Sequence, residues 1–235
     1  MKRIFVAGTV QNAGKTTICL GLYRAAAQRG YNPCFMKPLG QRYRIEDGQK
    51  VDEDAVLFKH ALAARGYPKD LNPVSISPGY TREYIFNRDV NALKEHITEA
   101  FGRVCRGCDL AIIEGTGHAG VGSVVDASNA AVASLLDASC VLVAGGGIGS
   151  TIDSVRLNHA LFREENVPVI GAIVNKVWKK KYYDIAPAVR RGLKNQGLDS
   201  LGIIPYEQKL ASPTMRQVRE ELGTEVWCGS SLLDN

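Results

Sequence analysis

A stretch near the start of the chain, Gly8-Thr9-Val10-Gln11-Asn12-Ala13-Gly14-Lys15-Thr16-Thr17, joins a glycine-rich turn to a lysine and two hydroxyls in an order suited to phosphate. Backbone N–H groups of such a loop, with the N-terminus of a following helix, aim donors and partial positive charge at phosphate oxygens. Lys15 is placed to neutralise the β- and γ-phosphates of a nucleoside triphosphate, and the Thr16 hydroxyl to ligate Mg²⁺. The usual spacing puts the first glycine at position 9, where this chain has Thr9, with Gly8 one residue earlier. A glycine turn with a chance Gly-Lys-Thr is the structural alternative. The apolar run before the loop and the amphipathic stretch after it favour phosphate.

Other segments carry possible chemistry. Asp109-Leu-Ala-Ile-Ile-Glu114-Gly115 reads as an apolar strand ending in a carboxylate, and Glu114 is a candidate second metal ligand or water organiser. The bland alternative is a strand end facing solvent. Asp52-Glu53-Asp54 adds carboxylates at a helix start, where the helix dipole favours acid in any case. Gly145-Gly146-Gly147-Ile148-Gly149-Ser150 closes one apolar run and opens a helix, so it serves either close ligand approach or packing. Cys105-Arg-Gly-Cys108 has metal or redox spacing, but no second pair or histidine accompanies it, and the thiols read as incidental.

The elements that must position these residues alternate. Apolar runs at 3–8, 33–37, 109–114, 139–144, 168–174 and 200–204 read as strands buried on both faces. Helical patterns lie at about 15–29, 52–65, 89–104, 127–137, 151–165, 184–196 and 213–222, with Asp89 and Ser212 as N-caps. This predicts an α/β P-loop NTPase whose mostly parallel sheet, of about seven strands, is flanked by helices. A long connection without a clear pattern runs from Tyr67 to Arg88, and nothing divides the chain, so one domain is expected over 1–235.

The chain has 235 residues, 45% of them hydrophobic and 23% charged, enough for one substantial core. A net charge of +5 is scattered along it and does not argue for nucleic acid. Lys179-Lys180-Lys181 before Tyr182-Tyr183 reads as a solvated loop or helix start. No apolar stretch reaches the roughly 18 residues of a membrane span, and the N-terminal run is too short for a signal peptide. A cytoplasmic protein with reduced thiols, free of nucleic acid and membrane, is the expectation.

These residues resemble the dethiobiotin synthetase family over nearly the whole chain. That family's loop also reads Gly-Thr, four residues and Gly-Lys-Thr, as from Gly8 to Thr16, and its Lys-Pro, Asp-Ala and Glu-Gly pairs are matched by Lys37-Pro38, Asp54-Ala55 and Glu114-Gly115. The resemblance implies Mg²⁺ held by Thr16, Asp54 and Glu114, with Lys15, Lys37 and Glu114 as the catalytic set. It implies ATP seated on Gly8, Thr9, Asn12, Ala13, Gly14, Lys15, Thr16 and Thr17, with Asn175 reading the adenine edge beside Pro205 and Tyr206. An asparagine amide offers the donor and the acceptor that a purine edge requires. A homodimer is implied too.

Four segments lean toward the nucleotide-binding N-terminal module of phosphate acetyltransferases, of which this chain is expected to be a free-standing version. They are Glu114–Gly122, Ser77–Tyr84, and Leu201–Tyr206 with Ser212–Arg216. Asn12 stands where the synthetase has glutamate, and Leu39, Gly40 and Gln41 stand where it has serine, so a diamino fatty acid is in doubt as substrate. Gln41, Gly117, His118, Gly146 and Gly147 are the candidate contacts to a carboxylate or amine substrate. His118 suits either proton transfer or local hydrogen bonding. The expected function is an ATP-dependent ligase that phosphorylates a carboxylate or carbamate. A nucleotide-sensing module with little turnover is the alternative, and a ParA-like or metallochaperone-type switch ATPase ranks third, because such proteins usually carry an extra lysine early in the loop where this chain has Val10 and Gln11.

Overall fold

The computed structural model describes residues 1–46, 48–62, 64, 66–210 and 212–233. Strand β1 (Lys2–Gly8) runs into the glycine loop and helix α1 (Lys15–Gln28), and β2 (Pro33–Met36) follows. The chain then builds β3 (Leu39–Gly40), β4 (Tyr43–Glu46), β5 (Gln49–Asp52), α2 (Glu53–Leu62), α3 (Pro68–Leu71), β6 (Val74–Ser75) and α4 (Tyr80–Phe86). Regular alternation resumes with α5 (Val90–Val104), β7 (Leu110–Glu114), α6 (Asn129–Leu135), β8 (Ser139–Ala144) and α7 (Gly149–Glu164). It ends with β9 (Val169–Val177), α8 (Tyr182–Asn195), β10 (Ser200–Pro205) and α9 (Met215–Leu222).

The central sheet is parallel, in the order β10-β9-β8-β1-β7-β2. Among the described residues it has six strands, against the expected seven or so. After β2 the chain leaves the sheet for two small pairs, β3 with β6 and β4 with β5. Every residue of the β4 strand is at least partly exposed, so this hairpin could not sit in a sheet covered on both faces. Strands β2 and β7 are buried throughout, as sheet interiors between helices must be. Phe5, Phe35, Ile112, Ile113, Leu142 and Phe162 are among the large side chains that fill the core.

Asp89 caps α5 as expected, accepting from the Ala92 N–H at 3.0 Å. Helix α9 starts later than its pattern indicated. Its cap is Thr214 rather than Ser212, because Thr214 and Gln217 satisfy each other's backbone N–H groups in a capping box. The connection from Tyr67 to Arg88 holds α3, β6 and α4, pieces too short to show a period. Lys179–Lys181 form a single 3₁₀ turn into α8. Among the described residues, no helix is long and apolar enough to cross a membrane.

Candidate nucleotide-binding site

Strand order reverses at β1, whose neighbours are β7 and β8, and the loop after β1 therefore opens into the crevice where parallel α/β sheets place ligands. Gly8 must be glycine, since a Cβ there would lie 2.7 Å from the Val10 carbonyl and 2.9 Å from that of Gly117. Thr9 is buried. Its N–H donates to the Val143 carbonyl at 2.9 Å, and its carbonyl accepts from the Asn158 amide at 3.1 Å. Asn12 and Gly14 adopt φ of 60° and 98°, which turn the loop around the start of α1. The Asn175 amide donates to the Ala13 carbonyl at 3.0 Å, and Lys176 Nζ to the Asn12 carbonyl at 2.8 Å. Strand β9 thus braces the loop from the side.

Inside this cradle Lys15 is buried, and a cavity of about 340 Å³ spreads from the loop residues Gln11, Asn12 and Gly14–Thr17 to Lys37, Gln41, Arg42, Asp52, Asp54, Glu114 and Gly117. Thr16 Oγ1 donates to Glu114 Oε1 at 2.7 Å and lies 3.2 Å from Asp54 Oδ1. The other oxygen of Glu114, Oε2, is buried with no hydrogen-bond partner among the described residues. Burial, then the Asp54 carboxylate, push the Glu114 carboxyl up to about 7, against the pull of Lys37, Thr16 and Lys15. A hydroxyl and two carboxylates, one with an orphaned oxygen and a charge short of cations, form a hard-oxygen donor set that suits Mg²⁺. Among the described residues no three His, Cys, Asp or Glu groups cluster as a metal cage. Mg²⁺ held largely by phosphate and water needs no such cage.

Lys37 Nζ donates to Asp52 at 2.7 Å and to Asp54. Burial alone would lower its pKa, but Glu114, Asp54 and Asp52 outweigh burial and raise it, so Lys37 holds its charge. Lys15 is shifted down, mainly by burial. Asp52, which the sequence offered only as part of an acidic helix start, is 1% exposed and organises the far wall. It accepts from Lys37, from the Gln41 N–H at 3.1 Å and from the Asp54 N–H at 3.0 Å, while its own N–H donates to Asn72 Oδ1 at 3.0 Å.

A second, more apolar groove of about 410 Å³ adjoins the loop and is lined by Thr17, Ile18, Leu22, Ile173, Asn175 and Pro205–Glu207. Of the expected residues, Asn12, Gly14, Lys15, Thr16, Thr17, Lys37, Gln41, Asp54, Glu114 and Gly117 line the first cavity, Asn175, Pro205 and Tyr206 line the second, and Gly8, Thr9 and Ala13 lie behind the loop's surface and line neither. His118, Gly146 and Gly147 line neither. The exposed His118 accepts from the Gly120 N–H at 3.3 Å through Nδ1, and Gly146 is held against the Lys176–Val177 backbone, where a Cβ would come within 2.7 Å. Asp52, Asn72, Arg42 and Lys176 were missed. An Asp two residues before Asp54 was the one local signal for them.

The fold and this site define a P-loop nucleotide-binding protein. The chain belongs to the AAA domain family, whose model matches residues 2–214, and to the dethiobiotin synthetase-like P-loop group within it. It is 29% identical to a phosphate acetyltransferase of Pseudomonas putida, over 96% of this chain and 32% of that protein. It is 27% identical to a cobyric acid synthase of Clostridium perfringens, over 87% of this chain and 46% of that one. With an ATP-dependent dethiobiotin synthetase of Methanococcus vannielii it shares 29% identity, over 77% of this chain and 83% of the relative. The chain thus spans a third to a half of the first two relatives. In fold it is similar to the MinD cell division protein of Aquifex aeolicus, with a TM-score of 0.57 at 14% identity over 97% of this chain and all of that one.

Proposed function

We propose that the protein is a Mg-ATP-dependent ligase that phosphorylates a carboxylate or carbamate oxygen of a small acceptor, after which a neighbouring amine displaces phosphate. The observation that carries this reading is the extent of the phosphate cavity. It continues beyond the cradle to Lys37, Gln41 and Gly115–Gly117, leaving space for an acceptor against the triphosphate seat. Mg²⁺, on Thr16, Asp54 and Glu114, supplies charge neutralisation at the β- and γ-phosphates when bound. The loop amides and Lys15 orient the triphosphate. Lys37, kept charged by its carboxylates, offsets negative charge on the phosphoryl group in flight. Asn175 already gives one amide hydrogen to the Ala13 carbonyl and turns its remaining donor and acceptor to the adenine edge, with Pro205 and Tyr206 along the base. Positioning and charge carry this chemistry, since the phosphoryl group needs no covalent partner on the protein.

The cysteines of the described residues are free thiols, in keeping with a cytoplasmic enzyme. Val10 in the glycine loop, with Ile148 and Leu157 at and on α7, are exposed and suit burial against a second copy of the chain. ADP and phosphate release from Mg-ATP, with and without diaminopelargonate plus bicarbonate and then a panel of amino and dicarboxylic acids, tests the reading. One stimulating acid supports the ligase. The match to part of a phosphate acetyltransferase favours a second reading, a nucleotide-sensing module. Tight Mg-ATP binding with no stimulated turnover would select it.

A further inference from the structure

We infer that Arg42 is the specificity residue of the acceptor site and that the acceptor is a dianion, with one carboxylate phosphorylated and a second held by the Arg42 guanidinium. This rests on the ligase reading. The cavity lining contains four cations, and three have fixed tasks. Lys37 is bound to Asp52 and Asp54, Lys176 to the Asn12 carbonyl, and Lys15 is buried in the phosphate cradle. Arg42 alone of the four is exposed with no hydrogen bond or ion pair to its guanidinium among the described residues. The neighbouring acid does not occupy it, because Glu53 pairs with Arg44 at 3.6 Å.

The backbone beneath Arg42 is fixed although its side chain is free. Its N–H reaches Asp52 Oδ2 at 3.4 Å, and its carbonyl accepts from the Glu53 N–H at 2.9 Å. Gly40 packs directly on Asp52, where a Cβ would fall 2.5 Å from the Asp52 Cβ, so the segment from Lys37 to Arg42 lies along one buried carboxylate. Gln41 stands beside Arg42 at the same wall and also lines a small apolar recess with Leu39, Ile76, Val121 and Val125. A guanidinium and a carboxamide on a backbone held by Asp52 and Glu53, lining the same cavity as the phosphate cradle, suit a planar anion, which guanidinium binds in bidentate fashion. The recess next to them suits the short hydrocarbon spacer between two carboxylates.

Succinate, glutarate and adipate, with butyrate as the monoanionic control, are titrated calorimetrically into the full chain loaded with Mg-AMPPNP, using wild type, Arg42→Ala and Arg42→Lys. At least one dicarboxylate should bind wild type more tightly than butyrate. Arg42→Ala should lose roughly tenfold or more of that affinity, as expected for a charge-assisted pair, while Arg42→Lys restores part of it. Affinity for Mg-AMPPNP should stay within about twofold in both variants, since the cradle is untouched. Dicarboxylate binding unchanged in Arg42→Ala, equal binding of butyrate, or no binding of any dicarboxylate to wild type overturns the inference. A fall in Mg-AMPPNP affinity also overturns it and assigns Arg42 to the phosphates. Arg42-dependent dicarboxylate binding without ADP release from Mg-ATP leaves the acceptor site standing and removes the ligase reading, so the two fail separately.

Discussion

Glu114 carries an energetic cost that its place in the site explains. It is buried, accepts from the Thr16 hydroxyl at one oxygen and has no partner for the other among the described residues, and its carboxyl is raised from the ordinary 4.5 to about 7. A raised folded-state pKa means that the native protein binds the proton more tightly than the unfolded chain. The associated stability is therefore complete below about pH 4.5 and lost as pH rises through about 7. Converted at 1.36 kcal/mol per unit, the loss is on the order of 3 kcal/mol. Glu114→Gln should then melt several degrees above the nucleotide-free wild type at pH 8 and equal it near pH 4, read by calorimetry. With Mg-ATP present the order should reverse, because the wild type gains a metal that the amide holds poorly. Equal melting at pH 8 without nucleotide would show that the buried charge is compensated. Lys15→Ala, by contrast, should abolish measurable ATP binding in equilibrium dialysis, and unchanged affinity would remove the loop from the phosphate site.

At the scale of elements, the sequence was most legible where chemistry is local and periodic. The β1 strand, the glycine loop and the α1 helix follow one another within 28 residues and brought Lys15 and Thr16 with them, while the continuous apolar run of β7 marked Glu114 at its end. The scaffold around Lys37 was hidden, because it is made by contacts between distant positions. Asp52 meets Asn72 across 20 residues, and Lys176 meets Asn12 across 164. Asp52 was masked as well by an adequate local reason for acid at a helix start. Asn72 shows how far that scaffold depends on one side chain. Its amide donates to the carbonyls of Lys37 at 2.9 Å and Val74 at 3.3 Å, and its oxygen accepts from Asp52 N–H and from Ser75 Oγ at 2.8 Å. Asn72→Ala strands several buried polar groups and should cost about 2–3 kcal/mol, which lowers Tm by roughly 5–10 °C in a chain of this size. ATP binding should survive and turnover should fall, because the cradle is spared while Lys37 loses its support. A full loss of nucleotide affinity would show that the two halves of the site are not separable.

The whole molecule presents its nucleotide crevice beside apolar surface that the single chain leaves uncovered. Leu157 on α7 is 75% exposed, Val10 in the glycine loop 48% and Ile148 at the start of α7 43%. Helix α7 is tied to the loop, since Asn158 donates to the Thr9 carbonyl and Ser154 Oγ lies 3.3 Å from Thr9 Oγ1. A stable interface between two copies must bury on the order of 1,000 Å² with an apolar centre, and this surface supplies candidates for that centre. In multi-angle light scattering, wild type with Mg-AMPPNP should run at twice the 25.5 kDa chain mass. Leu157→Glu places a charge at the proposed contact without touching the core, so it should keep its melting temperature and nucleotide affinity yet run at the single-chain mass. Dimers that persist in Leu157→Glu would move the interface elsewhere. Wild type at the single-chain mass at every concentration would leave each chain's site complete within itself, and Arg42 and Gln41 would then close the acceptor site without help from a partner.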